Sequence, residues 1–199
     1  VIDSGGGKLT KELGGLLYLG QSEYEAGVMA GERIKKLNVT KAVCANHEVG
    51  NVSLDDRCAG FAKGLGVDVP VLNGVMDPTE MKNRIIAHLK TNADTQFILT
   101  VGIGGAEPGL MALDELGLTG KVKIGTFDLS PTILQATADG KMEWGIDAQQ
   151  YAMGYIPVVM FDLWKKYKIA PIADYPTGPG FVTGETAASV IELAKQGKR

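Results

Sequence analysis

The sequence predicts an α/β fold, a doubly wound parallel sheet, from three observations. Short apolar runs begin at positions 41, 69, 97 and 122, a spacing of about 25–28 residues that fits a repeated strand–helix unit with right-handed crossovers. The stretches between those runs show helical periodicity and helix start signals. Apolar residues make up 45% of the 199 and charged residues 22%, so the chain has the material for a buried core.

The strand candidates of the regular units are 41–46 (KAVCAN), 69–73 (VPVLN), 97–101 (FILTV) and 122–127 (VKIGTF). A helix is expected over 23–37, with Ala26, Met29, Ala30, Arg33 and Leu37 near one side. Ser53 with Asp56 reads as a capping box, followed by an apolar stripe of Leu54, Cys58, Phe61, Ala62 and Leu65. Asp77-Pro78-Thr79-Glu80 carries an N-cap, proline at the first helical position and glutamate at the third. Ser130-Pro131 opens a further helix, and 183–195 reads as a capped terminal one. The stretch 151–167 is helical by period but contains Pro157, where a kink is expected. Two strand candidates, 16–20 (LLYLG) and 143–147 (EWGID), and the loop 175–181 (YPTGPGF) fall outside the repeat. There the chain can leave one sheet for another.

Composition removes several functions. A net charge of −3 excludes a polyanion binder that works by bulk positive charge. Two cysteines exclude a disulfide-rich scaffold and a four-cysteine zinc site, and two histidines argue against a His-rich metal site or relay chain. Glycine, at 27 residues, is roughly double the usual ~7% and implies many backbone-lined turns. The first residues, VIDSGGG, form an apolar pair and a glycine turn with no initiator Met or signal peptide, which reads as part of a longer chain.

Motifs for chemistry are weak. The loop from Gly102 to Gly105 lies between a strand and a helix, but the third glycine of a dinucleotide fingerprint is replaced by Glu107. No phosphate-binding loop and no nucleophile elbow occurs. His47 beside Glu48 reads as part of a polar loop rather than an acid–base pair, and His88 as a surface residue. What remains is a set of polar groups at the C-terminal ends of strands, where open α/β sheets bind ligands. They are the loop 46–53, Arg57, Gly102 to Gly105, Asp128, and Asp147 with Gln149 and Gln150; Asp77 is read as a helix cap only. A guanidinium, a carboxylate and amides around a small cleft suit a polyhydroxylated ligand.

Five segments together resemble the type I periplasmic sugar-binding proteins of ABC transporters, the ribose- and galactose-binding group. They are VIDSGG (1–6), HEVGNVSLDDRCAGF (47–61), GTFDLSP (125–131), GIDAQQYAMGYIPV (145–158) and TGPGFVT (177–183). The resemblance covers the later two-thirds of such a protein. It implies two lobes joined by three crossings, with a sugar held between them. Residues 1–20 would end the first lobe and make the first crossing, and 21–142 would form the second lobe. Residues 143–175 would cross back and supply a first-lobe helix, and 176–199 the third crossing and a terminal helix on the second lobe.

By the same resemblance Asp3, Asn51, Ser53, Arg57 and Asp128 match sugar contacts. Met76 stands where an aromatic is common, Gly102 where Asn is usual, and Ala148 where an amide is usual, with Gln149 as a substitute amide. The implied protein is not an enzyme and uses no cofactor or metal. Its partners are a small sugar or polyol and a membrane permease, without nucleic acid, and it is periplasmic and monomeric when full-length. The alternative is the inducer-binding domain of a LacI-type repressor, which shares the fold. Cys44, on a strand, and Cys58, on the apolar stripe of the following helix, face one seam at disulfide distance. In an oxidising periplasm they bond, and otherwise they are two buried thiols.

Overall fold

Strands covered by helices on both faces need apolar side chains at every position, and the central runs supply them. In the computed structural model, which describes residues 1–199, the chain runs α1 (Gly6–Glu12), β1 (Leu19–Gly20), α2 (Glu23–Lys35), β2 (Ala42–Asn46), α3 (Val52–Leu65), β3 (Val71–Asn73), α4 (Pro78–Thr91) and β4 (Phe97–Thr100). It continues with α5 (Ile103–Glu115), β5 (Lys123–Phe127), α6 (Pro131–Ala138), β6 (Trp144–Asp147), α7 (Gln150–Tyr167), β7 (Tyr175–Pro176), β8 (Gly180–Thr183) and α8 (Gly184–Lys195).

Six strands form one sheet in the order β3-β2-β4-β5-β6-β8, parallel except for β8, which pairs antiparallel with β6. Alternate residues face opposite layers. Cys44, Phe97 and Leu99 pack with Ala30, Ile34 and Phe61 of α2 and α3. Val43, Ala45, Ile98 and Ile124 pack with residues of α4, α5 and α6 on the other side. The sheet is thus doubly wound, as the sequence indicates. The α8 helix packs on α6 through Ala187 and Leu134.

The segments outside the repeat separate into two groups. β1 pairs in parallel with β7, with a further bridge from Ile2 to Leu19, forming a small second sheet. β6 and β8 instead join the large one. Among the residues of α7 only Met153 is buried, while Tyr155, Val158, Phe161 and Trp164 are exposed. The helix runs through Pro157 as one element.

Several local expectations are corrected. Gly6 and Gly7, read as part of a glycine turn, instead open α1, which runs to Glu12. The cap of α3 is Asn51, whose Oδ1 accepts from the Ser53 N–H at 3.1 Å, rather than the Ser53–Asp56 box. The buried face of α2 is Ala26, Gly27, Ala30, Gly31 and Ile34, whereas Met29 and Leu37 are exposed. That rotation has a steric cause. Gly27 and Gly31 of α2 lie against Gly60 and Gly64 of α3, so close that a methyl group on Gly27 would sit 2.5 Å from the Arg57 carbonyl oxygen. The two backbones meet there without side chains between them. Asp77 and Ser130 cap α4 and α6, accepting from Glu80 N–H at 2.8 Å and Ile133 N–H at 3.1 Å. Cys44 and Cys58 are joined by a disulfide across the seam between β2 and α3, with Cα atoms 5.7 Å apart.

Candidate functional site

The C-terminal ends of β2, β4 and β5 and the start of α7 open onto a polar cleft of about 570 Å³. Asp3 and Ser4 reach it from the segment before α1, and Glu23 from the first turn of α2.

Arg57 is the centre of the cleft's charge. It is only 7% exposed. Its Nε donates to Glu23 Oε2 at 2.6 Å, and its Nη1 to the Val101 carbonyl at 2.7 Å and to Asp128 Oδ2 at 3.3 Å. The guanidinium lies 4.5 Å from the centre of the Phe127 ring, a cation–π contact that fixes its plane. Burial opposes the charge, but the hydrogen bond to Glu23 and the Asp128 and Glu23 charges outweigh it and hold the pKa above its already high value. Arg57 is therefore a fixed cation with Nη2 free of protein partners.

Asp128 and Asp3 both adopt the left-handed backbone region, at φ 66° and 67°, where non-glycine residues are uncommon. Each is held there by its neighbours. The Asp128 N–H donates to the Ile146 carbonyl at 2.8 Å, and Gln150 Nε2 donates to Asp128 Oδ1 at 3.0 Å. The Asp3 N–H donates to the Leu19 carbonyl at 2.9 Å, and the Tyr18 hydroxyl donates to the Asp3 carbonyl at 2.5 Å. Burial, with the charges of Glu23, Asp3 and Asp174, pushes the Tyr18 hydroxyl up to about 12, so it remains a donor. Backbone strain of this kind, held by surrounding bonds, is common where side chains are aimed at a ligand.

Of the residues singled out from the sequence, Asp3, Asn51, Ser53, Arg57, Gly102 and Asp128 line this cleft together. Two do not. Met76 is 64% exposed and lies outside the lining, on the segment between β3 and α4. Gln149, at φ 58°, is exposed outside it too, and that left-handed turn brings the next residue, Gln150, to the cleft instead.

Among the residues missed are Glu23, the partner of Arg57, and two more. Arg199 lines the cleft, its Nη2 2.9 Å from Oδ2 of the fully buried Asp147; no sequence signal pairs residues so far apart. His47, read as a loop residue, is 8% exposed in the cleft wall. Burial holds its imidazole below the usual histidine range, against smaller raising effects of Glu48 and Asp128, and the lowering effect of Arg57 is smaller still. Its position beside Glu48 at a strand's end was the available signal. His88, expected on the surface, is half-buried on α4, and burial lowers it likewise.

The cleft at the strand ends thus gathers a stacked arginine, four carboxylates and the amide of Gln150. Residues 1–165 match the model of the periplasmic binding protein domain family, and the chain belongs to that family of solute-binding, non-enzymatic proteins. It is 26% identical over 181 residues to the xylose/arabinose-binding protein XylF of Sulfolobus acidocaldarius, which covers 83% of this chain and 44% of that protein. The chain therefore spans less than half the length of that curated relative. A carbohydrate transporter of Acidothermus cellulolyticus 11B, solved in complex with myo-inositol, is 28% identical with a TM-score of 0.89, covering all of this chain and 69% of that one. A solute-binding protein of Burkholderia graminis C4D1M in complex with D-arabinose shares the fold at 23% identity, TM-score 0.81, over 94% of this chain and 67% of that one.

Proposed function

We propose that this chain is the later part of an ABC-transporter substrate-binding protein that captures a small neutral sugar or polyol and passes it to a membrane permease outside the cytoplasm. The observation that carries this reading is the cleft around Arg57, where a partly paired guanidinium and two backbone-strained carboxylates leave hydrogen-bonding capacity unused. Sugar hydroxyls both donate and accept, so one hydroxyl can bridge Arg57 Nη2 and a carboxylate oxygen. Asp3, Asn51, Ser53, Arg57, Asp128 and Gln150 are the contacting side chains in this reading, and Gly102 gives the ligand room.

The small sheet of β1 and β7, with α1 and α7, is part of the first lobe, and the cleft is one wall of a two-walled site. The names of the relatives, which bind pentoses and a cyclitol, support the ligand class. The test is a thermal-shift screen of pentoses, hexoses and cyclitols. A ligand at 100 times its Kd stabilises the protein by about 2.7 kcal/mol. If no sugar or polyol raises the melting temperature, this reading fails.

A further inference from the structure

His47 occupies a space that the chain keeps clear for it. A methyl group at Gly102 would lie 2.9 Å from its Cε1, and one at Gly104 would lie 2.8 Å from its Cδ2. The imidazole is thus wedged against two residues without side chains, and no hydrogen bond within the protein holds it. Nδ1 is closed off from solvent without a partner. Nε2, also without a partner, is the nitrogen left open to the cleft.

We infer that His47 is a ligand-contacting, specificity-determining residue whose Nε2–H donates to a hydroxyl oxygen of a neutral polyol. The inference rests on the function proposed above and names a contact and a ligand class within that site. The tautomer follows from burial. A buried N–H without an acceptor is rarer and costlier than a buried lone pair without a donor, so the proton belongs on Nε2 and the lone pair on Nδ1. Protonating the ring would put a second N–H into the closed Nδ1 position, which agrees with burial holding the group neutral at pH 7.

The cleft needs this donor. Four carboxylates line it, those of Asp3, Glu23, Glu48 and Asp128, against the guanidinium groups of Arg57 and Arg199. Arg57 is already shared between Glu23 and Asp128, and Arg199 is paired with Asp147. Acceptors are in excess, so a neutral donor is complementary to hydroxyl oxygens. The same excess of negative charge repels a sugar acid or sugar phosphate.

The test is NMR of the two histidines, with the His47 signals assigned by comparison with His88→Gln. Long-range proton–nitrogen correlations of the unliganded protein should show His47 with its proton on Nε2; a proton on Nδ1 would overturn the inference with or without ligand. Titrations with myo-inositol, D-arabinose and D-xylose, and with glucuronate and ribose 5-phosphate, follow for the wild type, His47→Phe and His47→Gln. The neutral polyol that binds best should move the His47 nitrogen signals and leave those of His88 in place. His47→Phe should weaken it about tenfold, and His47→Gln, which keeps a donor, should stay close to the wild type. Equal affinity for wild type and His47→Phe, or tighter binding of an anionic ligand, overturns the inference while a sugar-binding function stands. If none of the polyols binds the wild type, the proposed function and this inference fall together. Should His47→Phe not fold, the tautomer, the signal shifts and His47→Gln decide the matter.

Discussion

Replacing Arg57 with alanine removes three hydrogen bonds at once, besides its contact with the Phe127 ring. Glu23 Oε2 loses its partner at 2.6 Å, the Val101 carbonyl loses its donor at 2.7 Å, and Asp128 Oδ2 loses its neighbour at 3.3 Å. The side chains of Glu23 and Asp128 are 10% and 26% exposed, so water from the open cleft can rehydrate part of what is lost. The expected cost is therefore that of one charge-assisted hydrogen bond, about 1.5–3 kcal/mol, rather than that of a fully buried orphan charge. For a chain of this size that is a fall in Tm of roughly 3–12 °C. Ligand affinity should fall roughly ten- to hundredfold by the same energy, read by calorimetry. A double-mutant cycle with Glu23→Gln separates the pair from the rest, with a coupling of about 0.5–3 kcal/mol expected for groups in direct contact. Unchanged affinity in Arg57→Ala would refute the placement of Arg57 at the ligand, and a coupling near zero would refute the ion pair as its support.

The disulfide closes a loop with a sequence separation of 14, so reduction or the Cys44→Ala/Cys58→Ala pair should lower stability by about 3 kcal/mol, seen as a shift in urea midpoint. Burial lowers both His47 and His88, so the unfolded chain takes up protons first as pH falls. Stability is fully present above about pH 6.5 and is lost as pH drops below it, and His47→Gln/His88→Gln should flatten urea midpoints between about pH 7.5 and 5.5 relative to the wild type. The exposed apolar residues of α7, with an apolar groove of about 300 Å³ that includes Phe161 and Trp164, should make the chain self-associate. Sedimentation velocity should find less association in Phe161→Glu/Trp164→Glu, and a monomeric wild type would contradict this.

Most of the large sheet was legible because its signals are local. Each of β2, β4 and β5 is an apolar run with little polar interruption, and the caps at Asp77 and Ser130 are each followed by proline within the same turn. What escaped depends on distant contacts. The buried face of α2 is turned by glycines of α3, some thirty residues on, so that counting large apolar residues selected Met29 and Leu37 instead. His47 is buried because positions 102 and 104 lack side chains, which no window around residue 47 reveals. The cleft was legible through Arg57 and Asp128, and imprecise at Gln149, where one left-handed residue decides which of two adjacent amides enters. Similarly, the pairing of Leu19 with Tyr175 joins residues far apart in the chain.

The four glycines between α2 and α3 separate where the arginine stands from what surrounds it. Glu23 and Arg57 project from two helices locked backbone to backbone, so neither can slide along the other without a carbonyl oxygen striking a Cα. The loops after β2, β4 and β5, the segment before α1 and the start of α7 carry most of the other cleft residues and have no part in that lock. Ligand preference can then drift, or be redesigned, by exchanging loop residues around an anchor that keeps its coordinates. The converse also holds: a single methyl group on the seam, even at Gly64, would strike the facing backbone and so shift the anchor and every preference built around it.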